Sequence, residues 1–319
     1  MSRKNVYGLM VLAILVVGAG WFWTNKYEVY DYFALKNYTP SPQVASLASS
    51  SGMNTKGQKI FYVNDPRLSD RQEFSTECSN NKEQTIVLGC YTGRNIYIFD
   101  VTDSRLNGVE EVTSAHEMLH AAYDRLSASE RARVDKLTDE AFQRINNPRI
   151  TSLIENYRSQ DPSVVPNELH SILGTEVANL GPELEAYYSK YFADRSKVIA
   201  HSQAYEKVLA DSKNQVEKLD ADLTLRRAEI ERLEIQLNGL SSQLEAMQKN
   251  MNSLSAGGNV ARYNALVPQY NAQVNQYNIL YNEYSSLLAQ YNKIVEQRNS
   301  LAIEQQDLVK SLDSRVKSL

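Results

Sequence analysis

The sequence predicts an α+β protein: an N-terminal transmembrane helix, a small domain of short β-strands plus helices, and a long antiparallel α-helical coiled-coil hairpin. Three observations predict it. Arg3 and Lys4 precede a run without any charge from Val6 to Trp23. Short β-like runs are followed by a helical stripe that carries His116-Glu117-Met118-Leu119-His120. From about Ala193 onwards, apolar residues recur at spacings of three and four. The expected parts are an anchor (1–26), a juxtamembrane linker (27–58), a small domain (59–194) and the hairpin (195–319).

The uncharged run is about 18 residues long, near the minimum that spans a bilayer. Trp21, Phe22 and Trp23 close it as an interfacial aromatic belt, and the basic residues before it favour a cytoplasmic N-terminus and an extracytoplasmic body. The competing reading is a cleaved signal peptide ending near Gly18 or Gly20. The bulky aromatics just after Gly20 favour a single-pass anchor in the cell membrane. Cys78 and Cys90 are the only two cysteines, and an even pair in an exported domain reads as a disulfide. Net charge is −4 and the pI about 5.7, so no nucleic-acid partner is expected.

Tyr27 to Leu35 reads as a helix that Pro40 and Pro42 end, and Val44 to Ser50 as a second short one. Lys59–Val63, Thr85–Leu88 and Asn95–Val101 read as strands between turn residues. Helices follow: 109–126, 129–145 opened by Ser129, 150–158, and a single long one over 167–194.

Two histidines at i and i+4 lie on one face of a helix, one turn apart. Two neutral imidazoles so placed can reach one Zn²⁺ at about 2.0–2.1 Å. Glu117 projects beside the first, where it can act as a general base for water at the metal. The chain has only four histidines, which makes a chance occurrence rare. Val112, Ala115, Leu119, Ala122 and Tyr123 supply the stripe that buries the other face.

A catalytic zinc needs a third protein ligand and an open position. Leu126 occupies the place where a third histidine six residues after His120 would stand. Glu168, with Pro166 and Asn167 as helix-start signals, is the preferred ligand. Glu176 and His170 remain alternatives. Asp124 and Glu176 are candidates to orient the first histidine. Tyr157, His170, Tyr187 and Tyr188 are candidates to stabilise an oxyanion, and none is assigned.

Over roughly residues 59–194, the order of strands, HExxH helix and later Asn-Glu helix resembles the gluzincin branch of zinc metallopeptidases. The resemblance implies a zincin-like domain hydrolysing peptide bonds, with zinc held by His116, His120 and Glu168 and with Glu117 as the catalytic base. It further implies an edge strand before the motif helix that holds the substrate backbone, a place taken by Asn95–Val101. Thermolysin-like members have an aspartate four residues after the ligand glutamate; Ile172 stands there.

The C-terminal heptads break at Ser255-Ala256-Gly257-Gly258-Asn259, which reads as the turn between two antiparallel arms. Pro268 implies a late start or a kink in the second arm. Tyr263, Tyr270, Tyr277, Tyr284 and Tyr291 recur every seventh residue and read as a seam with wet hydroxyls rather than a stacking ladder. The expected partners are a peptide or protein substrate, the membrane through the N-terminal helix, and a protein bound by the coiled coil. The alternative function is a non-enzymatic cell-envelope scaffold acting through that coiled coil.

Overall fold

A computed structural model describes residues 15–18, 20–22, 25–79 and 87–315. Most of the expected membrane run, the first two residues of the strand expected at Thr85–Leu88, and the last residues of the arm lie outside them; residues 87 and 88 are not in a strand, which begins at Gly89. Among the described residues, no helix is long and apolar enough to cross a membrane. The chain divides into two compact units, one of residues 1–208 with 308–319, the other of residues 209–307.

The first unit is α+β and mostly helical. It opens with α1 (Lys26–Leu35), α2 (Pro42–Ser50) and α3 (Thr55–Tyr62). α3 corrects the strand expected at 59–63. The Asn54 side chain accepts from the amides of Lys56 and Gly57, and Gly57, Ile60 and Phe61 bury one helical face. A cap and a spacing of three and four outweigh the β-branched look of the segment.

Next come β1 (Arg67–Ser69), α4 (Arg71–Glu77), β2 (Gly89–Tyr91) and β3 (Ile96–Phe99), in a sheet of order β1-β3-β2. β1 pairs with β3 in parallel, with Leu68 opposite Ile98. β2 pairs with β3 antiparallel, with Cys90 opposite Tyr97. β3 is therefore the central strand, not the edge strand expected at 95–101. All four of its residues are buried, as a middle strand covered on both faces requires. The edge next to the site belongs to β2.

Then follow α5 (Val109–Asp124), α6 (Ala128–Phe142), α7 (Pro148–Gln160), α8 (Val165–Glu176) and α9 (Pro182–Tyr188). α6 starts one turn-residue earlier than expected, because Ser127 and Glu130 form a reciprocal capping box. The single helix expected over 167–194 is two. Asn179 adopts φ +57°, and Gly181-Pro182 cannot continue α8. Arg195 binds the released carbonyls of Leu173, Gly174 and Val177 and pairs with Glu185. The main core joins Ile96 and Ile98 of the sheet, Ala115, Met118 and Leu119 of α5, Leu173 of α8, and Tyr188.

Two long helices, α10 (Ser196–Ala256) and α11 (Val260–Leu312), make up the C-terminal part. Gly258, at φ +71°, makes the turn between them, as the glycine break predicts. α11 begins well before Pro268 and carries it inside the helix. Within the second unit the two helices run antiparallel. Arg298 pairs with Asp220, Arg226 with Gln290, and Tyr284 with Glu234. Ile230, Leu233, Leu237 and Ile294 are buried along the seam. The five heptad tyrosines are half-buried there, which is the placement of a ring in contact and a hydroxyl in water.

The first unit takes in more of the C-terminal part than a boundary at 195 implies. Val198 joins the main core. At the chain's other end, Leu308 and Leu312 are buried, and the Ser314 hydroxyl donates to the Val87 carbonyl at 2.6 Å.

Candidate metal centre

The expected apolar stripe of α5 is buried at every position. It seats α5 against β3 and α8 and leaves the motif's polar side facing a cleft of about 520 Å³. His116, Glu117, His120 and Glu168 all line that cleft. The His116 Nε2 lies 3.6 Å from one Glu168 carboxylate oxygen, and the His120 Nε2 lies 3.5 Å from the other. One ligand atom from each of the three residues falls within 4.8 Å of the others.

These separations fit one ion. Ligand atoms about 2.0–2.1 Å from a tetrahedral metal stand about 3.3 Å apart. Glu168 is buried, and its Oε2 has no hydrogen-bond partner. A carboxylate oxygen left so in a protein interior costs roughly 1–3 kcal/mol or more, and a cation between it and the imidazoles removes that cost. The donor set of two nitrogens and one carboxylate suits zinc and other divalent transition metals alike.

The charges of the cluster act on one another. Burial opposes a charge on His116, but the Glu168 carboxylate beside it, with Glu117 and Glu176 nearby, outweighs burial and raises its pKa to about 9. Burial lowers the pKa of His120, with Glu168 opposing. Burial raises the pKa of Glu168, yet the two imidazoles and the nearby Tyr157 hydroxyl leave it lowered overall. The Glu168 carboxylate is thereby favoured in its ionised form, facing the His116 imidazole.

The alternatives for the third ligand are placed elsewhere. Glu176 lines the cleft but is bound by Arg149, which also pairs with Glu206. His170 is fully buried among tyrosines; its Nε2 meets the Tyr187 hydroxyl at 2.9 Å, and its carbonyl accepts from Tyr188 at 2.7 Å. Burial holds the His170 pKa down at about 3. His170, Tyr187 and Tyr188 therefore form a core network, and of the four oxyanion candidates only Tyr157 lines the cleft.

Of the two residues considered for orienting the first histidine, Glu176 is bound by Arg149, and Asp124 lines the cleft. The orienting contact that is present serves His120, whose Nδ1 lies 3.2 Å from the Ser171 hydroxyl. That bond aims Nε2 at Glu168. Ser171 lies three residues after Glu168, one turn along the same face of α8, a spacing that could have flagged it.

Sequence reasoning also missed three cleft residues. A Cβ on Gly89 would lie 2.6 Å from Glu117 Oε1 and 2.5 Å from the Thr113 methyl, so β2 rests its bare backbone on the motif helix. Arg131 and Tyr205 line the cleft as well. Tyr205 belongs to the first turns of α10, which read as coiled coil. Across the whole chain, no family model matches, and no curated protein or solved structure matches.

Proposed function

We propose that this chain is a membrane-anchored, extracytoplasmic zinc metallopeptidase with a zincin-like catalytic domain. One observation carries the reading: His116, His120 and Glu168 stand at metal-binding separations in a cleft that also holds Glu117 and the backbone of an edge strand. Bound zinc would supply Lewis acidity and a readily deprotonated water. Glu117, packed against Gly89, would take the proton from the attacking water and return it to the leaving amine. Residues 88–91 line the cleft, and among the described residues β2 pairs with β3 alone, so its other edge suits an extended peptide backbone.

The Cys78–Cys90 disulfide supports a body outside the reducing cytosol, and the uncharged run from Val6 to Trp23 supports an anchor. The arm exposes Leu225, Ile235, Ile279 and Ile303, which suits a bound protein partner. It also favours the second reading, a non-enzymatic scaffold. Metal analysis of the full chain in detergent, with hydrolysis of an unstructured polypeptide, separates the two. The peptidase retains about one zinc per chain, His120→Ala loses it, and Glu117→Gln keeps it while losing hydrolysis. A chain that cannot be loaded with metal, or Glu117→Gln with full activity, overturns the proposal.

A further inference from the structure

α1 has two unlike faces. Its inner face carries Asp31, and exposed Glu28 stands beside that face. Asp31 is only 2% exposed and receives Arg125 on both carboxylate oxygens, at 2.9 and 3.0 Å, with Lys59 at 3.4 Å. Glu28 pairs with Lys59 at 2.7 Å. The Tyr27 hydroxyl donates to the Asp124 carbonyl at 3.2 Å, and the Arg125 guanidinium lies over the Tyr27 ring. Arg125 caps the C-terminus of α5, so α1 is fastened to the end of the helix that carries His116 and His120.

The outer face is aromatic and basic. Tyr30, Tyr32 and Phe33 are 49%, 65% and 67% exposed, and Lys26 and Lys36 flank them. Asp31 is turned inwards, and Glu28, although exposed, is held by Lys59 on the Asp31 side of the helix, so neither acidic residue of α1 stands among these aromatics. Tyrosine, phenylalanine and lysine together are the residues that settle at a membrane–water interface. The chain's course limits what can cover it. The uncharged run ends at Trp23, three residues before α1 begins at Lys26. Three residues reach at most about 11 Å, and the headgroup layer of one leaflet is about 5–8 Å thick.

We propose that the outer face of α1 lies on the bilayer surface, with Tyr32 and Phe33 in the headgroup layer, and that α1 thereby holds the cleft at the membrane. The surface rests on the reading of residues 6–23 as an anchor. The cleft follows α1 because Asp124, whose carbonyl Tyr27 binds, lines it. Its substrates are then polypeptide segments that run close to the lipid surface.

Photo-crosslinking of the full chain tests this, in vesicles of phosphatidylethanolamine and phosphatidylglycerol. Benzoylphenylalanine replaces Phe33 in one variant, Tyr32 in a second and Trp21 in a third. The replaced side chains are exposed, so folding is not at stake. Lipid adducts at all three positions are expected. Adducts at position 21 with none at 32 or 33 overturn the α1 surface and leave the anchor standing. Adducts to protein at 32 and 33 overturn it in favour of a second chain. No lipid adduct at any position overturns both the anchor and the surface.

Discussion

Replacing Gly89 with alanine adds one methyl group to the wall of the cleft, and the structure fixes what that methyl meets. Its Cβ would stand 2.5 Å from the Thr113 methyl, and 2.6 and 2.8 Å from Oε1 and Cγ of Glu117. Contacts between carbon atoms are comfortable at about 3.5–4.0 Å, so an adjustment of about 1 Å is required. Thr113 and Glu117 are both buried on α5, and the Thr113 hydroxyl is tied to the Val109 carbonyl at 2.8 Å. Strand and helix must therefore part, or the Glu117 carboxylate must swing away. Overpacking of this kind costs about 1–3 kcal/mol. At about 2–4 °C per kcal/mol for a unit of this size, the melting temperature falls by roughly 2–12 °C. The effect on turnover is larger in proportion, because displacing a reacting group by about 1 Å costs about 100-fold. The atoms nearest the new methyl belong to Thr113 and Glu117, not to His116, His120 or Glu168, so metal content should stay near that of the parent. The assay is kcat on an unstructured polypeptide alongside metal per chain. Full metal with unchanged kcat would refute the placement of Glu117 as the base against β2; loss of metal would refute the separation of base and ligands.

Ser171→Ala removes the contact that orients the His120 ring, and metal affinity measured against a competing chelator should fall about 10- to 100-fold; unchanged affinity would deny Ser171 that role. Glu110 gives a pH test away from the ligands. Burial raises its carboxyl to about 7, aided by Asp100 and Glu111 and opposed by the bond from the Val101 amide. A folded pKa above the unfolded value stabilises fully below about pH 4.5, and that stability is lost as pH rises through 7. Glu110→Gln keeps an acceptor for Val101, so the difference in unfolding free energy between variant and parent should grow in the variant's favour from pH 5 to pH 8. After allowance for a partly wet carboxyl it should reach on the order of 1–2 kcal/mol, and a flat difference would contradict the burial. A chain ending at Asp194 should fail to hold metal, because it lacks Val198, Tyr205 and the buried residues of 308–315, whereas excising 209–307 through a flexible linker should preserve it. Metal retained by the shorter chain would show that these residues are dispensable.

What could be read from the sequence was what depends on near neighbours. The HExxH motif places two imidazoles on one helical face whatever surrounds it, and Pro166-Asn167-Glu168 carries its own start signals. The arms were legible because a repeat of three and four over so many turns has one reading, and because two glycines interrupt it. The errors lie where two local rules compete or where pairing is distant. Lys59–Val63 has β-branched and aromatic residues, yet the Asn54 cap five positions before it decides for helix. Nothing within Asn95–Val101 tells a central strand from an edge; the order of the sheet depends on β1 pairing with it in parallel, and on β2 taking the other side.

The cleft obeys the same division. Its metal-ligand positions come from α5 and α8, two helices the sequence announces, and these were expected. Its walls include Gly89 and Tyr205, and His120 is braced by the buried Ser171; these carry no motif and act only through where the fold puts them. Gly89 is informative because it has no side chain, and its value appears only when Glu117 is seen packed against it. Ser171 matters because α8 crosses α5 at the height of His120. Tyr205 reaches the cleft because the first turns of α10 belong to the globular unit although their spacing is that of the arm. A reaction needs both sets. On the proposed reading the ligands would bring the metal, but the backbone of β2, packed against Glu117, would set where the base stands and offer the edge on which a peptide lies. Substitutions at Gly89 should accordingly separate metal binding from turnover, which substitutions at His116, His120 or Glu168 cannot do.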